Sequence, residues 1–443
     1  MPNTKISGYR WRILALLFMA TTINYMDRSI IGVLAPTLQD NVFHWSNTEY
    51  GYINIAFMIA YAIGMVVMGG LIDKFGTKIG YTLSISIWAF FSLTHAFVTR
   101  TMGWLGFAFA RFGLGIGEAG NFPACIKTVA EWFPKKERAF ATGIFNAGTN
   151  VGATIMPLII PLFVLNNGKH WQYAFCITFA LSIVWIILWW TTYKRPELHR
   201  KVTEKELNYI LSDSVKENVQ KIPWSRVLPV KETWAFGIAK LTDAVWWFYL
   251  FWGGLFLHAE FGLELRGLAL PLIIIYLLAD AGSVFGGWLS STFIKMGWTI
   301  NKSRKVTLLI CAIIILPVVF ATQTQNQWIA VLLIGLAAGG HQAWSANVFT
   351  LVSDVFPKKA TASVVGIGGM VGSIASIAAN FGLGHVLDNS GKIGYTFAFL
   401  IAGSLYLVCL LFVHLIMPKM TPLDDSLKQV DPKVAVALGS SEA

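Results

Sequence analysis

The feature that most constrains this chain is a succession of apolar stretches, each about as long as a lipid bilayer is thick. A bilayer core measures about 30 Å, so a helix rising ~1.5 Å per residue needs roughly 20 apolar residues to cross it. By that measure candidate spans fall at 12–38, 49–72, 78–98, 103–131, 138–165, 171–193, 233–258, 268–294, 304–322, 327–352, 362–387 and 394–417. Hydrocarbon offers no partner to a bare backbone amide, so segments of this length must be helices. The expected class is an all-α membrane protein with twelve transmembrane helices. Charged residues make up 13% of the chain, against about 25% in soluble domains. That scarcity excludes a soluble enzyme and a disordered chain. The first apolar stretch is too long for a signal peptide and lacks a small-residue cleavage site, so no cleavable leader is expected.

The longest polar gap, 194–232, separates the sixth span from the seventh and reads as a solvated linker with a short surface helix. The expected organisation is therefore an N-terminal six-helix bundle over 1–193, a cytoplasmic linker over 194–232, a C-terminal six-helix bundle over 233–417 and a cytoplasmic tail over 418–443. The net charge is +11, with 34 lysines and arginines. Loops of one parity hold only Arg100, Lys169, Arg266 and Lys392, while Arg28, Arg111, Lys127 and Lys240 lie inside spans. Every other base falls at the termini or in loops of the opposite parity. This asymmetry fits the positive-inside rule with both termini cytoplasmic in a cell (inner) membrane. The basic balance thus reflects topology, and no nucleic-acid partner is expected. Cys125, Cys176, Cys311 and Cys409 all lie in spans at no metal or disulfide spacing, and read as small packing residues. Gly113-Leu114-Gly115-Ile116-Gly117 follows no strand, so it is not a dinucleotide loop. No metal or organic cofactor is expected.

The chain carries an internal repeat. Val129–Ile144 (VAEWFPKKERAFATGI) and Val352–Ile367 (VSDVFPKKATASVVGI) match at 8 of 16 positions across an offset of 223. Gly69-Gly70 before one basic turn is echoed by Gly286-Gly287 before another. The two six-helix bundles are therefore expected to be pseudo-symmetric, an architecture in which transporters place their site near the midplane.

A charge at the bilayer centre costs roughly 2.5–3.5 kcal/mol on insertion scales, so each one there asks for a partner or a purpose. The first span carries Asp27 and Arg28, and the fourth carries Arg111 and Glu118. Arg111 and Glu118 are two turns apart on one face, too distant to pair unaided but able to bracket one cavity. Two readings follow: a charge-neutral structural network, or a proton-coupled anion site. The second leads, because an anion that engages an arginine loosens that arginine's hold on a carboxylate, so proton and anion binding favour one another. Pro123 and the glycines at 113, 115, 117 and 120 allow a bend or close packing in the fourth span. Tyr61, Asn146, Thr149 and Asn150 offer polar groups at cavity depth, either to a ligand or to neighbouring helices. At the repeat offset Arg111 maps to Ile334 and Glu118 to His341, so the second half is neutral there. His341, Gln342, Trp344 and Asn347 suit a polyhydroxyl body, and Trp246 and Trp247 are candidates to line the same cavity. Lys240 and Asp243, three residues apart, are placed to pair locally. Asp280 is isolated in sequence.

Gly69-Gly70-Leu71-Ile72-Asp73-Lys74-Phe75-Gly76-Thr77-Lys78 resembles the signature loop of the major facilitator superfamily. Asp73, Lys74, Gly76 and Lys78 are the residues that carry it, and Asp73 can cap a neighbouring helix N-terminus. Asn24-Tyr25-Met26-Asp27-Arg28, ARFGLGIGEAGNFPA and EWFPKKERA resemble the anion–cation symporter branch. Within it, WFPKKERA, Trp171–Phe175, Ser303-Arg304-Lys305, HQAWSAN and SDVFPKKATASVVGIGG are most similar to bacterial hexuronate (glucuronate/galacturonate) transporters. The resemblance implies the major facilitator fold, alternating access and proton symport. It implies Asp27 and Glu118 as proton carriers, Arg28 and Arg111 in substrate binding or coupling, and Tyr25 and Tyr61 lining the site. Some sugar-acid members place a Gln where Thr149 stands, and some hexuronate members lack the first-span Asp.

The leading expectation is a monomeric proton symporter that imports a hexuronate, with lipid and a small organic anion as its partners and protons as the coupling ion. Another monocarboxylate such as an aldonate, or an exchange mechanism, is the alternative within the class. A membrane sensor that binds without net transport is the alternative outside it. No constellation of catalytic residues points to an enzyme.

Overall fold

The computed structural model describes residues 8–165, 167–212 and 222–429; part of the linker (213–221) and the end of the tail (430–443) lie outside the described residues. In chain order the helices are α1 (Tyr9–Thr37), α2 (Asn47–His95), α3 (Gly103–Glu118), α4 (Asn121–Trp132), α5 (Lys135–Phe163) and α6 (Gln172–Thr192). The linker then holds α7 (Glu204–Ile210) and α8 (Trp224–Val227). The remainder is α9 (Lys231–Lys240), α10 (Asp243–Phe261), α11 (Leu265–Lys295), α12 (Ile300–Ile315), α13 (Gln327–Val355), α14 (Lys358–Ser390) and α15 (Lys392–Ile416).

Among the described residues, eight helices are long and apolar enough by themselves to cross a membrane. The other four expected spans are helical too, three of them beside a turn or a break. The stretch labelled α2 holds two helices, one for each of two spans, joined by a turn at Gly76, whose φ of 81° and ψ of 164° are open to glycine and costly for other residues. Helix α1 carries Asn24, Asp27 and Arg28 in its apolar run, which lowers its hydropathy. The span at 103–131 breaks between Glu118 and Asn121, because Pro123 has no amide hydrogen for the carbonyl of residue 119 and its ring crowds that carbonyl. The span at 233–258 breaks likewise at Leu241–Thr242, between α9 and α10.

The residues group into two compact units, Met1–Glu217 with Gly253–Ile273, and Asn218–Trp252 with Ile274–Ala443. In the first unit α2 and α6 run antiparallel and meet rung by rung. His95 stacks on Phe175 at 4.6 Å, the hydroxyls of Ser92 and Thr178 lie 3.1 Å apart, and Trp88 Nε1 donates to Ser182 Oγ at 3.0 Å. Tyr81 then meets Trp189 edge-on at 5.3 Å, and Trp189 Nε1 donates to the Lys78 carbonyl at 3.2 Å. Steps of three and four residues on both helices keep these contacts on one face. Helix α3 packs closer still: a Cβ at Gly117 would lie 2.4 Å from the backbone nitrogen of Trp88.

The linker folds back on this unit. Helix α1 starts after Gly8 without a side-chain cap of its own. Glu206 of α7 supplies one, accepting from the amides of Tyr9 and Arg10, each at 3.2 Å, and from Arg10 Nη1 at 3.3 Å. A carboxylate at a helix N-terminus satisfies free amides and the helix dipole together. Partial burial beside α1 pushes the His199 imidazole below its ordinary pKa.

In the second unit Gly282 of α11 lies against α13, where a Cβ would come 2.1 Å from the Gly339 carbonyl oxygen. Arg304 of α12 joins Asp354 (2.8 Å) and Ser290 (2.6 Å). The tail returns across the end of α13, with the Leu423 amide donating to the Val355 carbonyl at 2.8 Å. Each copy of the repeated FPKK turn has the same backbone. Pro134 (φ −62°, ψ 154°) and Pro357 (φ −61°, ψ 149°) are the N-caps of α5 and α14. The amides of Phe133 and Phe356 close the preceding helices at 2.9 Å in both.

Candidate functional site

The four membrane-depth charges of the first half come together in the first unit, and all four are buried: Asp27 is 1% exposed, Arg28 2%, Arg111 and Glu118 0%. Arg28 donates to Glu118 Oε2 from Nε at 3.0 Å and from Nη2 at 2.8 Å. Both bonds reach the same oxygen, and Glu118 Oε1 has no hydrogen-bond partner among the described residues. Asn24, one turn before Arg28, accepts from Arg28 Nη2 at 3.3 Å and donates to the Glu118 carbonyl at 3.5 Å. That carbonyl is the last of α3, left open by the break before Pro123.

Aromatic rings surround the pair. The Arg28 guanidinium carbon lies 4.5 Å from the Tyr25 ring centre, 4.7 Å from Tyr61 and 5.3 Å from Phe57. Arg111 lies over the same Phe57 ring at 4.7 Å. Both guanidinium groups thus lie within cation–π reach of one Phe57 ring. The cluster holds two acids and two bases with little exposure, so a single proton or a single anion changes its net charge.

Asp27 takes a separate position. It faces the α2–α6 rung, where Oδ1 accepts from Ser92 Oγ and from Thr178 Oγ1, each at 2.5 Å. Sequence neighbours on a helix point about 100° apart, which is why Asp27 and Arg28 serve different partners. Ser92, Thr178, Asn24 and Phe57 were not singled out from sequence. Only Asn24, four residues before Arg28, carried a readable signal, since that spacing puts it on the arginine's face.

The other expected site residues fall into groups. Thr149 is buried and donates to Asn150 Oδ1 at 3.2 Å, Asn150 is half-buried and Asn146 is exposed. In the second unit His341 Nδ1 lies 2.7 Å from the Tyr406 hydroxyl, and its ring stacks on Trp246 at 5.7 Å. Trp247 packs on Phe251 at 5.2 Å. Gln342 is half-buried. Trp344 is fully buried rather than an open stacking surface: Nε1 donates to the Ala239 carbonyl at 3.3 Å and the ring meets Tyr406 edge-on. Asn347 commits its amide to the carbonyls of Gly286 (3.0 Å) and Ala343 (2.9 Å), tying α13 to α11. Lys240 and Asp243 pair at 2.6 Å as their spacing suggests.

In the signature loop Asp73 pairs with Lys127 of α4 at 2.8 Å instead of capping a helix, and α5, whose start follows close by, has no side-chain cap. The long lysine stem lets a base counted inside the fourth span reach this polar loop. Lys78 donates to the Trp190 carbonyl at 2.9 Å, Lys74 lies over Phe75 at 5.6 Å, and Gly76 makes the turn.

Known proteins give the same outline. The sequence model of the Major Facilitator Superfamily matches residues 17–380. The chain is 32% identical over 394 residues to the hexuronate transporter of Escherichia coli (strain K12), covering 87% of this chain and 90% of that protein. It is 33% identical over 312 residues to the galacturonate transporter of Dickeya chrysanthemi, covering 69% and 89%. It is 25% identical over 396 residues to the D-galactonate transporter of Escherichia coli O6:H1, covering 86% and 90%. Among solved structures, the inward-open xylose transporter XylE of E. coli aligns with a TM-score of 0.72 at 14% identity, covering 98% of this chain and 99% of that one. A bacterial homologue of the human lysosomal transporter Spinster aligns with a TM-score of 0.72 at 18% identity, covering 94% and 98%. These likenesses establish the fold.

Proposed function

The chain belongs to the Major Facilitator Superfamily, and from that premise we propose that it imports a sugar-acid anion, a hexuronate such as glucuronate or galacturonate, together with protons. The observation that carries the proposal is the buried Arg28–Glu118 pair, in which one arginine commits two donors to one carboxylate oxygen. A proton on Glu118 removes the charge that holds Arg28 and leaves a guanidinium ready for a substrate carboxylate. A carboxylate on Arg28 in turn leaves Glu118 without its counter-charge and favours its protonation. Each ligand strengthens the other by the same factor, as linkage requires. That reciprocity is what symport needs. Arg111, 4.7 Å from the centre of the Phe57 ring, adds positive potential to the same cluster.

In this reading Asp27 and Glu118 carry protons, while Arg28 and Arg111 receive the anion. Tyr25 and Tyr61 flank Arg28 and shield its charge. Asn146, Thr149 and Asn150, in the same unit as Arg28, offer hydrogen bonds to a polyhydroxyl body. The protein works by alternating access in the inner membrane, with both termini cytoplasmic, the side to which the loop bases assign them. The similarity to a transporter named for hexuronate favours that substrate. The similarity to one named for galactonate supports an aldonate as the second reading.

The test is uptake by purified protein in liposomes under an imposed pH gradient. Labelled glucuronate should accumulate uphill, Glu118→Gln should abolish accumulation while leaving glucuronate exchange, and galactonate should compete weakly. Uphill accumulation by Glu118→Gln equal to the unaltered chain overturns the coupling role. Accumulation of galactonate alone replaces the substrate.

A further inference from the structure

We propose that Ser92 and Thr178 are positioning residues for the proton on Asp27, forming a hydroxyl chain that donates toward the carboxylate when it is ionised and reverses when it is protonated. The inference rests on the reading of Asp27 as a proton carrier and adds the groups that set its proton affinity.

Both hydroxyl oxygens lie 2.5 Å from Asp27 Oδ1, at the short end of the range for an O–H donor on a charged carboxylate. In that arrangement both hydroxyls point at the acid. The same atoms support a second arrangement. Ser92 Oγ and Thr178 Oγ1 are 3.1 Å apart, and Thr178 Oγ1 is 3.1 Å from the Phe175 carbonyl of its own helix. Once Asp27 gains a proton, the carboxyl O–H donates to Ser92, Ser92 donates to Thr178, and Thr178 donates to the Phe175 carbonyl. No O–H bond breaks in the hydroxyl chain. The proton adds to the carboxylate, and two hydroxyls rotate about their Cβ–O bonds. Every link is within hydrogen-bond reach without backbone movement, so neither protonation state leaves a hydroxyl hydrogen unpaired in a buried site.

The surroundings hold the rung still. One turn to one side His95 stacks on Phe175, with an interplanar angle of 2°, and keeps the accepting carbonyl in place. One turn to the other side Trp88 is bonded to Ser182. The charges that act on Asp27 are those of Glu118 and Arg111 on α3, and Arg28 follows it on α1. His95, one turn beyond Ser92 on α2, is also titratable, and its Nδ1 lies 2.7 Å from the Phe91 carbonyl. Asp27 is thus coupled to the Arg28–Glu118 cluster through charge, and tuned by two neutral hydroxyls that carry none.

The test is infrared titration of the purified full-length protein in lipid, following carboxyl C=O bands against pH, with Asp27→Asn to assign the Asp27 band. Hydrogen bonds to the ionised form favour it, so Ser92→Ala and Thr178→Val should each move the midpoint of that band up by about one pH unit. Thr178→Ser keeps the hydroxyl and should restore the original midpoint. An assigned band whose midpoint stays put in both hydroxyl deletions overturns the proposal and leaves Asp27 as a proton carrier. A midpoint that moves equally in Thr178→Ser and Thr178→Val assigns the effect to packing and also overturns it. A spectrum in which Asp27→Asn removes no titrating band refutes the underlying reading of Asp27 instead. A thermal unfolding midpoint close to that of the unaltered chain confirms folding of each variant, and Thr178→Ala replaces Thr178→Val if that chain fails to fold.

Discussion

Replacing Glu118 by Gln should tighten, not weaken, the binding of an anionic substrate. Arg28 donates to Glu118 Oε2 at 3.0 Å and 2.8 Å. Bonds to a charged group contribute about 1.5–3 kcal/mol net, and neutral ones about 0.5–1.5 kcal/mol. An amide oxygen in place of the carboxylate therefore frees Arg28 by about 1–3 kcal/mol, which is roughly a five- to hundredfold gain in affinity for an arriving carboxylate. The raw attraction is larger, since unit charges at the 2.8 Å contact attract by about 6 kcal/mol at an effective dielectric of 20. Desolvation offsets much of it, so the smaller figure governs. The assay is equilibrium binding of labelled glucuronate to purified protein across the neutral pH range. The unaltered chain should lose affinity as pH rises, because ionised Glu118 competes with the anion for Arg28. The Gln variant should bind tightly with a flatter pH dependence. An unchanged Kd and an unchanged pH slope would refute competition between Glu118 and substrate for Arg28. Weaker binding would refute it more directly, by making Glu118 a substrate contact.

Two further outcomes follow from packing and capping. Gly282→Ala forces a Cβ to within 2.1 Å of the Gly339 carbonyl oxygen and should lower stability by about 1–3 kcal/mol, whereas Gly287→Ala on the same helix meets nothing within 4 Å and should be neutral or slightly stabilising. Thermal unfolding of both in detergent checks the contrast, and equal midpoints sink it. Glu206→Ala removes the acceptor of the Tyr9 and Arg10 amides and should cost about 0.5–2 kcal/mol, read as a lower unfolding midpoint and faster protease cleavage in the linker.

Much of the fold was legible because it follows from chain length and local chemistry. A bilayer sets the length of each apolar run, and Gly76 and Pro123 mark breaks by what they lack. The repeated FPKK turn was legible because proline fixes φ wherever it occurs. The identity of the buried charges was legible for the same reason of cost, since few residues of this kind survive inside an apolar span.

What the sequence left open was pairing. It placed Arg111 and Glu118 on one face of one helix, and it placed Asp27 beside Arg28. The tertiary structure instead joins Arg28 to Glu118 across two helices, gives Asp27 to the hydroxyls of Ser92 and Thr178, and sets Trp246 against His341. Such contacts depend on the rotation and axial offset of one helix against another. A helix that is apolar nearly all round carries no stripe to announce which face it turns inward. Sequence therefore determined how many helices cross the membrane and which charges they carry inside. Only the packing of those helices decided which charge answers which.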